Sequence, residues 1–277
     1  MKPESILTHD KLNLHSRAWT TEGAKADILF LHGFFEHCGR YAGEAQALNA
    51  KGYNVYAYDQ RSHGLSDGKH RSFIKDFQNY LKDYKLAISK YKLGTNKPFF
   101  LMSHSMGGLV QCSYLLENNI ASDFFKGAIF SAPLLLPDSN TAPLLQKMSG
   151  VVGTLFPTLK TIQIDPQHIS RDPKEIDLYV SDSLNYTDKM YASSGYQLLK
   201  QMKKIRPLIS RFHHPMIVLH GTDDRLAEYA GGKLLYEKSQ SKDKEFVPLE
   251  NFKHEILKDL DNDIVWSKIT AWMDRRL

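Results

Sequence analysis

Short apolar runs bounded by turn residues alternate along this chain with longer stretches of helical periodicity. "DILFLHG" (27–33), "YNVYAYD" (53–59), "PFFLMSH" (98–104), "GAIFSAP" (127–133), "PMIVLHG" (215–221) and "EFVPLEN" (245–251) read as short strands. The first five are apolar at successive positions, as strands covered on both faces must be. Helices are predicted at 41–51, 76–92, 106–118, 226–238 and 261–275, and the segment before residue 27, with "KLNLHSRAW", suits a hairpin at the sheet edge. This alternation predicts an α/β fold built on a mostly parallel, doubly wound sheet.

The rhythm breaks once. Roughly 80 residues separate "GAIFSAP" from "PMIVLHG", where a crossover needs about a dozen. The chain is therefore expected to divide into a core, 1–133 and 207–277, and a helical insertion at 134–206. Within the insertion Leu144, Leu145, Met148, Val151, Val152, Leu155 and Phe156 recur at helical spacing as a wide apolar stripe. Such a stripe either seats the insertion on the body or lines a pocket. The expectation is that Leu144, Met148, Val152, Leu155 and Phe156 form part of a substrate wall. Gly150 and Gly153 loosen that helix.

Composition adds limits. With 42% hydrophobic and 24% charged residues the chain is ordinary globular protein. The formal charge of +5 is spread along it, and no basic block reads as a nucleic-acid arm. Lys200, Lys203, Lys204 and Arg206, the densest basic group, read as a solvated helix face. Cys38 and Cys112 lack C-x-x-C spacing and read as reduced thiols. The N-terminal "MKPESILTHDKLNLHSRAW" has no signal-like apolar core, and no stretch approaches the roughly 20 apolar residues of a membrane span. A cytoplasmic protein is expected.

The candidate chemistry begins at "FFLMSHSMGGLV" (99–110), where a buried strand runs into small residues. Ser103-His104-Ser105-Met106-Gly107 fits a nucleophile elbow with Ser in place of its first Gly, the small residues being needed where strand and helix approach closely. A serine in this setting requires an acid and then a histidine, in that chain order. "PMIVLHGTDDRL" offers Asp223 and Asp224, which the residues alone leave equal, and downstream of them His254 is the only histidine of the chain's 12. Oxyanion donors are expected from the backbone N–H of Met106 and of Phe34, in the loop "LHGFFEHCGRY". His104 is expected to point away from Ser105, and His32 and His63 read as structural. His213, His214 and His220 with the two aspartates match no familiar ligand spacing, so neither a metal nor another cofactor is expected. Glu36, His37 and Arg40 either brace their loop or meet a polar headgroup; bracing is the expectation.

"HGFFEHCGRY", "YDQRSHGLSDG", "SHSMGG", "GTDDRL" and the late "KHE", in that order, resemble the monoacylglycerol lipase and lysophospholipase branch of the serine α/β-hydrolases. The resemblance runs from about residue 10 to the C-terminus, and "HISRDPKEIDLYVSDSL" looks like the cap of that branch. It implies the α/β-hydrolase fold with a helical cap, Ser105 as nucleophile, Asp224 rather than Asp223 as acid, and His254 as base. It also implies hydrolysis of monoacylglycerols or lysophospholipids, as a lipid or other acyl-ester substrate, through an acyl-enzyme intermediate. The apolar stripe, partly exposed when the cap opens, is expected to make transient contact with a membrane surface. Departures are Ser103 for Gly, Ser62 for the middle Gly of D-x-R-G-H-G, and Ser183 for a cap Pro; none removes a reacting group. The same machinery serves esterases and thioesterases of other acyl groups. A binding protein on this fold usually lacks a member of the triad, and all three are present here.

Overall fold

Alternate residues of each central strand enter two different cores. The structure is a computed structural model describing residues 4–92, 94–118, 120–121, 123–137 and 143–277, with the side chains of 143–147 left out. Its strands are β1 (Glu4–Leu7), β2 (Asn13–Trp19), β3 (Ala26–Leu31), β4 (Tyr53–Tyr58), β5 (Phe99–His104), β6 (Gly127–Ser131), β7 (Met216–Gly221) and β8 (Lys244–Leu249). They form one sheet in the order β1-β2-β4-β3-β5-β6-β7-β8. The expected edge hairpin is β1–β2; its own pairing and that of β2 with β4 are antiparallel, and the remaining strand pairings are parallel. The apolar runs predicted as strands are all strands.

Ile28, Phe30, Phe100, Met102, Ile129 and Ile217 point to one face, where α1 (Ala42–Ala50) and α8 (Asn262–Asp274) cover them with Leu48, Val265, Ile269 and Trp272. Leu29, Leu31, Leu101, Phe130 and Val218 point to the other, under α2 (Gln78–Lys92), α3 (Met106–Glu117) and α7 (Tyr229–Lys238), which contribute Tyr84, Ile88, Leu109 and Leu235. Period-two alternation with apolar residues on both sides is what a doubly covered sheet requires. β8, at the open edge, is half-buried over most of its length.

The long connection between β6 and β7 carries α4 (Pro143–Leu155), α5 (Pro173–Ser181) and α6 (Ala192–Ile205). The apolar stripe does lie on α4 and the residue after it, but most of its described side chains turn to solvent, and Val152 is half-buried. Met148 (50%), Val151 (62%), Leu155 (66%) and Phe156 (61%) are exposed. Gly153 decides this. A Cβ there would stand 2.9 Å from the Ala192 carbonyl oxygen, so the glycine face is the one that can approach α6, where it meets Tyr196. Close approach of backbone to backbone outweighs the area the stripe would bury. Leu144 and Leu145 carry side chains outside the described residues.

Candidate functional site

β5 ends at His104, and Ser105 makes the whole turn into α3 with φ 53° and ψ −118°. A side-chain-bearing residue at positive φ is strained, and the strain lifts its hydroxyl onto the end of the sheet. A Cβ at Gly107 would fall 2.4 Å from the Leu31 carbonyl oxygen, so only glycine lets α3 start this close to β3. The departure at Ser103 is harmless: its side chain is fully buried, with Oγ directed at the Ile129 carbonyl oxygen.

The Ser105 Oγ lies 2.8 Å from Nε2 of His254, whose Nδ1 lies 2.8 Å from Oδ2 of Asp224. His254 stands in the loop after β8 and Asp224 in the loop after β7, so three strand ends converge. Asp224 Oδ1 accepts the Leu226 and Ala227 amides at 2.8 and 2.9 Å, and Oδ2 also takes Nε2 of His220 at 3.1 Å. Burial alone would raise the Asp224 carboxyl. The facing charge of His254 and the hydrogen bonds outweigh it and hold the group well below the usual carboxylate range. Burial pulls His254 down, but Asp224, by charge and hydrogen bond, lifts it above the ordinary histidine value. Asp223 is half exposed, 3.5 Å from Arg225, and does not meet His254. The structure thus separates the two aspartates that the residues alone left equal.

The loop after β3 stands beside Ser105. Neither the Phe34 nor the Met106 amide has an acceptor among the described residues. The Gly33 amide donates to Glu36 Oε1 at 2.6 Å, and the Tyr41 hydroxyl donates to the same oxygen at 3.0 Å. Arg40 donates to Glu36 Oε2 and forks onto both oxygens of Glu255. Glu36, Arg40 and Glu255 are therefore bracing groups. His37 and Asp182 of the β6–β7 connection meet at 2.8 Å, and the Tyr186 amide donates to the Phe35 carbonyl at 2.8 Å. On the opposite side the Glu255 amide donates to the Ile169 carbonyl. The connection is tied to both loops that flank Ser105.

A cavity of about 430 Å³ sits over Ser105 and His254. Leu134, Ile162, Met190, Leu198, Leu199 and Met202 are among its apolar lining residues, and Glu36, Tyr179 and Glu255 among its polar ones. Met148, Val152, Leu155 and Phe156 do not border it, contrary to the expected wall. Met148 and Val152 instead line a smaller hollow of about 140 Å³ that shares Ile162, Met190, Gly195 and Leu199 with the first. His104 also departs from expectation: its ring stands 4.8 Å from that of His254 and borders the cavity. Burial pushes His104 down to about 3, so it stays neutral there. His32 is structural, with its Nδ1 at the Gly33 carbonyl and Nε2 accepting the Gln60 amide. His63 is structural too, through the Arg61 carbonyl. Among the described residues no group of three His, Cys, Asp or Glu side chains is placed to hold a metal ion.

Reading the residues alone missed Glu255, Asp182 and Ile169, whose partners are far away in the chain. Glu255 had one available signal, a charged residue directly after the histidine at a strand end.

Residues 22–261 match the family described as serine aminopeptidase, S33. The monoglyceride lipase of Rattus norvegicus is 31% identical over 98% of this chain and 90% of its own length. The monoacylglycerol lipase of Mycolicibacterium smegmatis is 27% identical over 92% of this chain and 90% of its own. The crystal structure of Paleococcus ferrophilus monoacylglycerol lipase, 27% identical, superposes with a TM-score of 0.84 over 95% of this chain and 99% of that one. With one family spanning most of the sequence and near full-length relatives sharing the architecture, the chain belongs to the serine aminopeptidase S33 family and has the α/β-hydrolase fold.

Proposed function

We propose that this chain hydrolyses the ester bond of monoacylglycerols through an acyl-enzyme on Ser105. The observation that carries the reading is the 2.8 Å contact of Ser105 Oγ with His254 Nε2 at the floor of the cavity. His254 takes the Ser105 proton as Oγ attacks the ester carbonyl carbon. Asp224 keeps the His254 proton on Nδ1 and stabilises the imidazolium. The carbonyl oxygen becomes an oxyanion between the Phe34 and Met106 amides, each worth about 3 kcal/mol of barrier. His254 then protonates the departing glycerol oxygen. In the second half it deprotonates a water that attacks the acyl carbon, releasing the fatty acid and restoring the Ser105 hydroxyl.

The similarity to monoacylglycerol lipases supports this substrate, and so does the cavity. Its apolar lining residues suit an acyl chain. Beside Ser105, two buried carboxylates, Glu36 and Glu255, share one guanidinium, Arg40. With Asp165 and Arg225 also lining the cavity, three carboxylates face two guanidinium groups, and that excess of negative charge favours neutral hydroxyls over the phosphate of a lysophospholipid. Residues 134–206 act in this reading as a cap over a core of 1–133 and 207–277. Among the described residues no helix is long and apolar enough to cross a membrane. The exposed Val151, Leu155, Phe156 and Leu159 suit peripheral contact of a cytoplasmic protein with a lipid surface.

The test is a panel of monoacylglycerols, lysophospholipids and short aryl esters. Monoacylglycerols are expected to give the highest kcat/KM, and Ser105→Ala to lose several orders of magnitude along with labelling by a fluorophosphonate. Preference for aryl esters would make the chain a general esterase; retained labelling of the variant would remove Ser105 as nucleophile.

A further inference from the structure

His220, the penultimate residue of β7, is completely buried and touches the acid rather than the base. Its Nε2 lies 3.1 Å from Asp224 Oδ2 and 3.0 Å from the Ala227 carbonyl oxygen. Both neighbours accept and neither donates, so Nε2 must carry the proton. Its Nδ1 has no partner, and a Cβ on Gly232 would fall 2.5 Å from it, so the ring is wedged against α7 with no space for an acceptor there. The Tyr229 ring closes another side at 5.6 Å. The tautomer is thus dictated by what surrounds the ring.

Asp224 Oδ2 consequently takes two imidazole donors, one from His254 and one from His220. We propose that His220 is a positioning residue for the reaction: a fixed second donor that holds the Asp224 carboxylate in plane and tempers its pull on His254. The inference rests on the assignment of His254 as base. Two amides already anchor Oδ1, so the rotation left to the carboxylate is one that swings Oδ2 away from His254, and His220 blocks it. By drawing on the charge of Oδ2, His220 also limits how strongly that oxygen stabilises a protonated His254. Glu36 from the loop after β3, His104 from the end of β5 and the adjacent Glu255 of its own loop surround His254, and Tyr229 faces His220. None of these is altered by a change at His220.

The experiment compares the pH dependence of kcat/KM for wild type, His220→Leu and His220→Gln, with Ser105→Ala as the control for the Ser105–His254 reading. Gln presents an N–H where the imidazole has Nε2; Leu presents none. In His220→Leu the acid limb should move to higher pH by roughly half a unit or more, as Asp224 binds the imidazolium harder, while KM holds and the plateau kcat falls by less than about tenfold. In His220→Gln the limb should stay at the wild-type position. A limb that stays or moves down in the Leu variant, or moves equally in both, overturns the proposal. Nitrogen-15 histidine NMR of the wild-type protein, with His220 assigned by its absence from the Gln variant, gives a second reading. It should show the proton on Nε2 of His220, and a proton on Nδ1 overturns the proposal even if the Leu variant does not fold. If wild type shows no acid limb, the base assignment fails instead, and if Ser105→Ala keeps its activity, the nucleophile assignment does.

Discussion

Arg40, in the turn after β3, forms a two-bond fork to Glu255, the residue directly after His254, at 2.6 and 2.8 Å. One of its nitrogens also donates to Glu36 Oε2 at 2.7 Å, and all three side chains are almost fully buried. Two loops 215 residues apart are locked by one guanidinium. Removing it leaves two carboxylates in a space that cannot solvate them. Arg40→Gln is therefore expected to destabilise the fold by about 3–5 kcal/mol in urea unfolding, and to lower kcat more than it raises KM. Unchanged unfolding would mean that solvent reaches these carboxylates.

Asp224 and Asp223 should behave unequally when each is changed to Asn. Asp224→Asn leaves the size intact but offers His254 Nδ1 an amide that can turn its N–H toward it, and kcat should fall by about 10⁴ as in other triads of this kind. Asp223, half exposed beside Arg225, should lose less than threefold, within the roughly ±0.5 kcal/mol of surface substitutions. Steady-state kinetics on one ester settle the matter, and equal losses would point to the wrong acid.

Acid stability should be set by buried neutral histidines. His214 is 1% exposed, with neither ring nitrogen partnered, packed 4.9 Å from the Phe125 ring and 5.6 Å from that of Phe212. Burial pushes it down to about 4, below the ordinary value near 6.5 that it has when unfolded. Between those values the unfolded chain binds a proton that the folded one refuses, so stability is complete above about pH 6.5 and is lost as pH falls toward 4. His214→Phe should flatten that slope, retaining on the order of 1–2 kcal/mol at pH 5. Urea unfolding at pH 7 and pH 5 checks this, and a slope unchanged by the substitution would place the acid sensitivity at other groups.

The sheet could be read from the chain because its central strands are apolar on both faces, a pattern that a half-exposed strand does not produce. Ser105 and His254 were legible for a different reason: an elbow of small residues is local, and only one histidine follows the late aspartates. Choosing between Asp223 and Asp224 was not possible from the residues, since a one-residue step at a strand end decides which carboxyl turns inward. The orientation of the α4 stripe was also hidden. Periodicity shows that one face is apolar, but the neighbour of that helix is set by Gly153 against the Ala192 carbonyl, a backbone contact without a sequence period. The ties of Asp182 to His37 and Arg40 to Glu255 pair charges across long separations, and nothing local marks either partner.

The orientation of α4 changes what its substitutions should do. Leu155 and Phe156 face solvent, whereas Ile162, Met190 and Leu199 lie between the cavity over Ser105 and the hollow lined by Met148 and Val152. An acyl chain longer than the first space can hold would run past these three into the second, each buried methylene contributing about 0.8 kcal/mol. Val152→Ser should then lower kcat/KM progressively with acyl length and leave short esters unaffected. Leu155→Ser and Phe156→Ser should leave soluble esters of every length alone and weaken only the use of substrate presented in vesicles. The measurement is kcat/KM against acyl length, in monomeric solution and in vesicles. If Val152→Ser lowers all lengths by one factor, the hollow holds no acyl chain, and if Phe156→Ser leaves vesicle substrate unaffected, the exposed stripe does not meet the lipid surface.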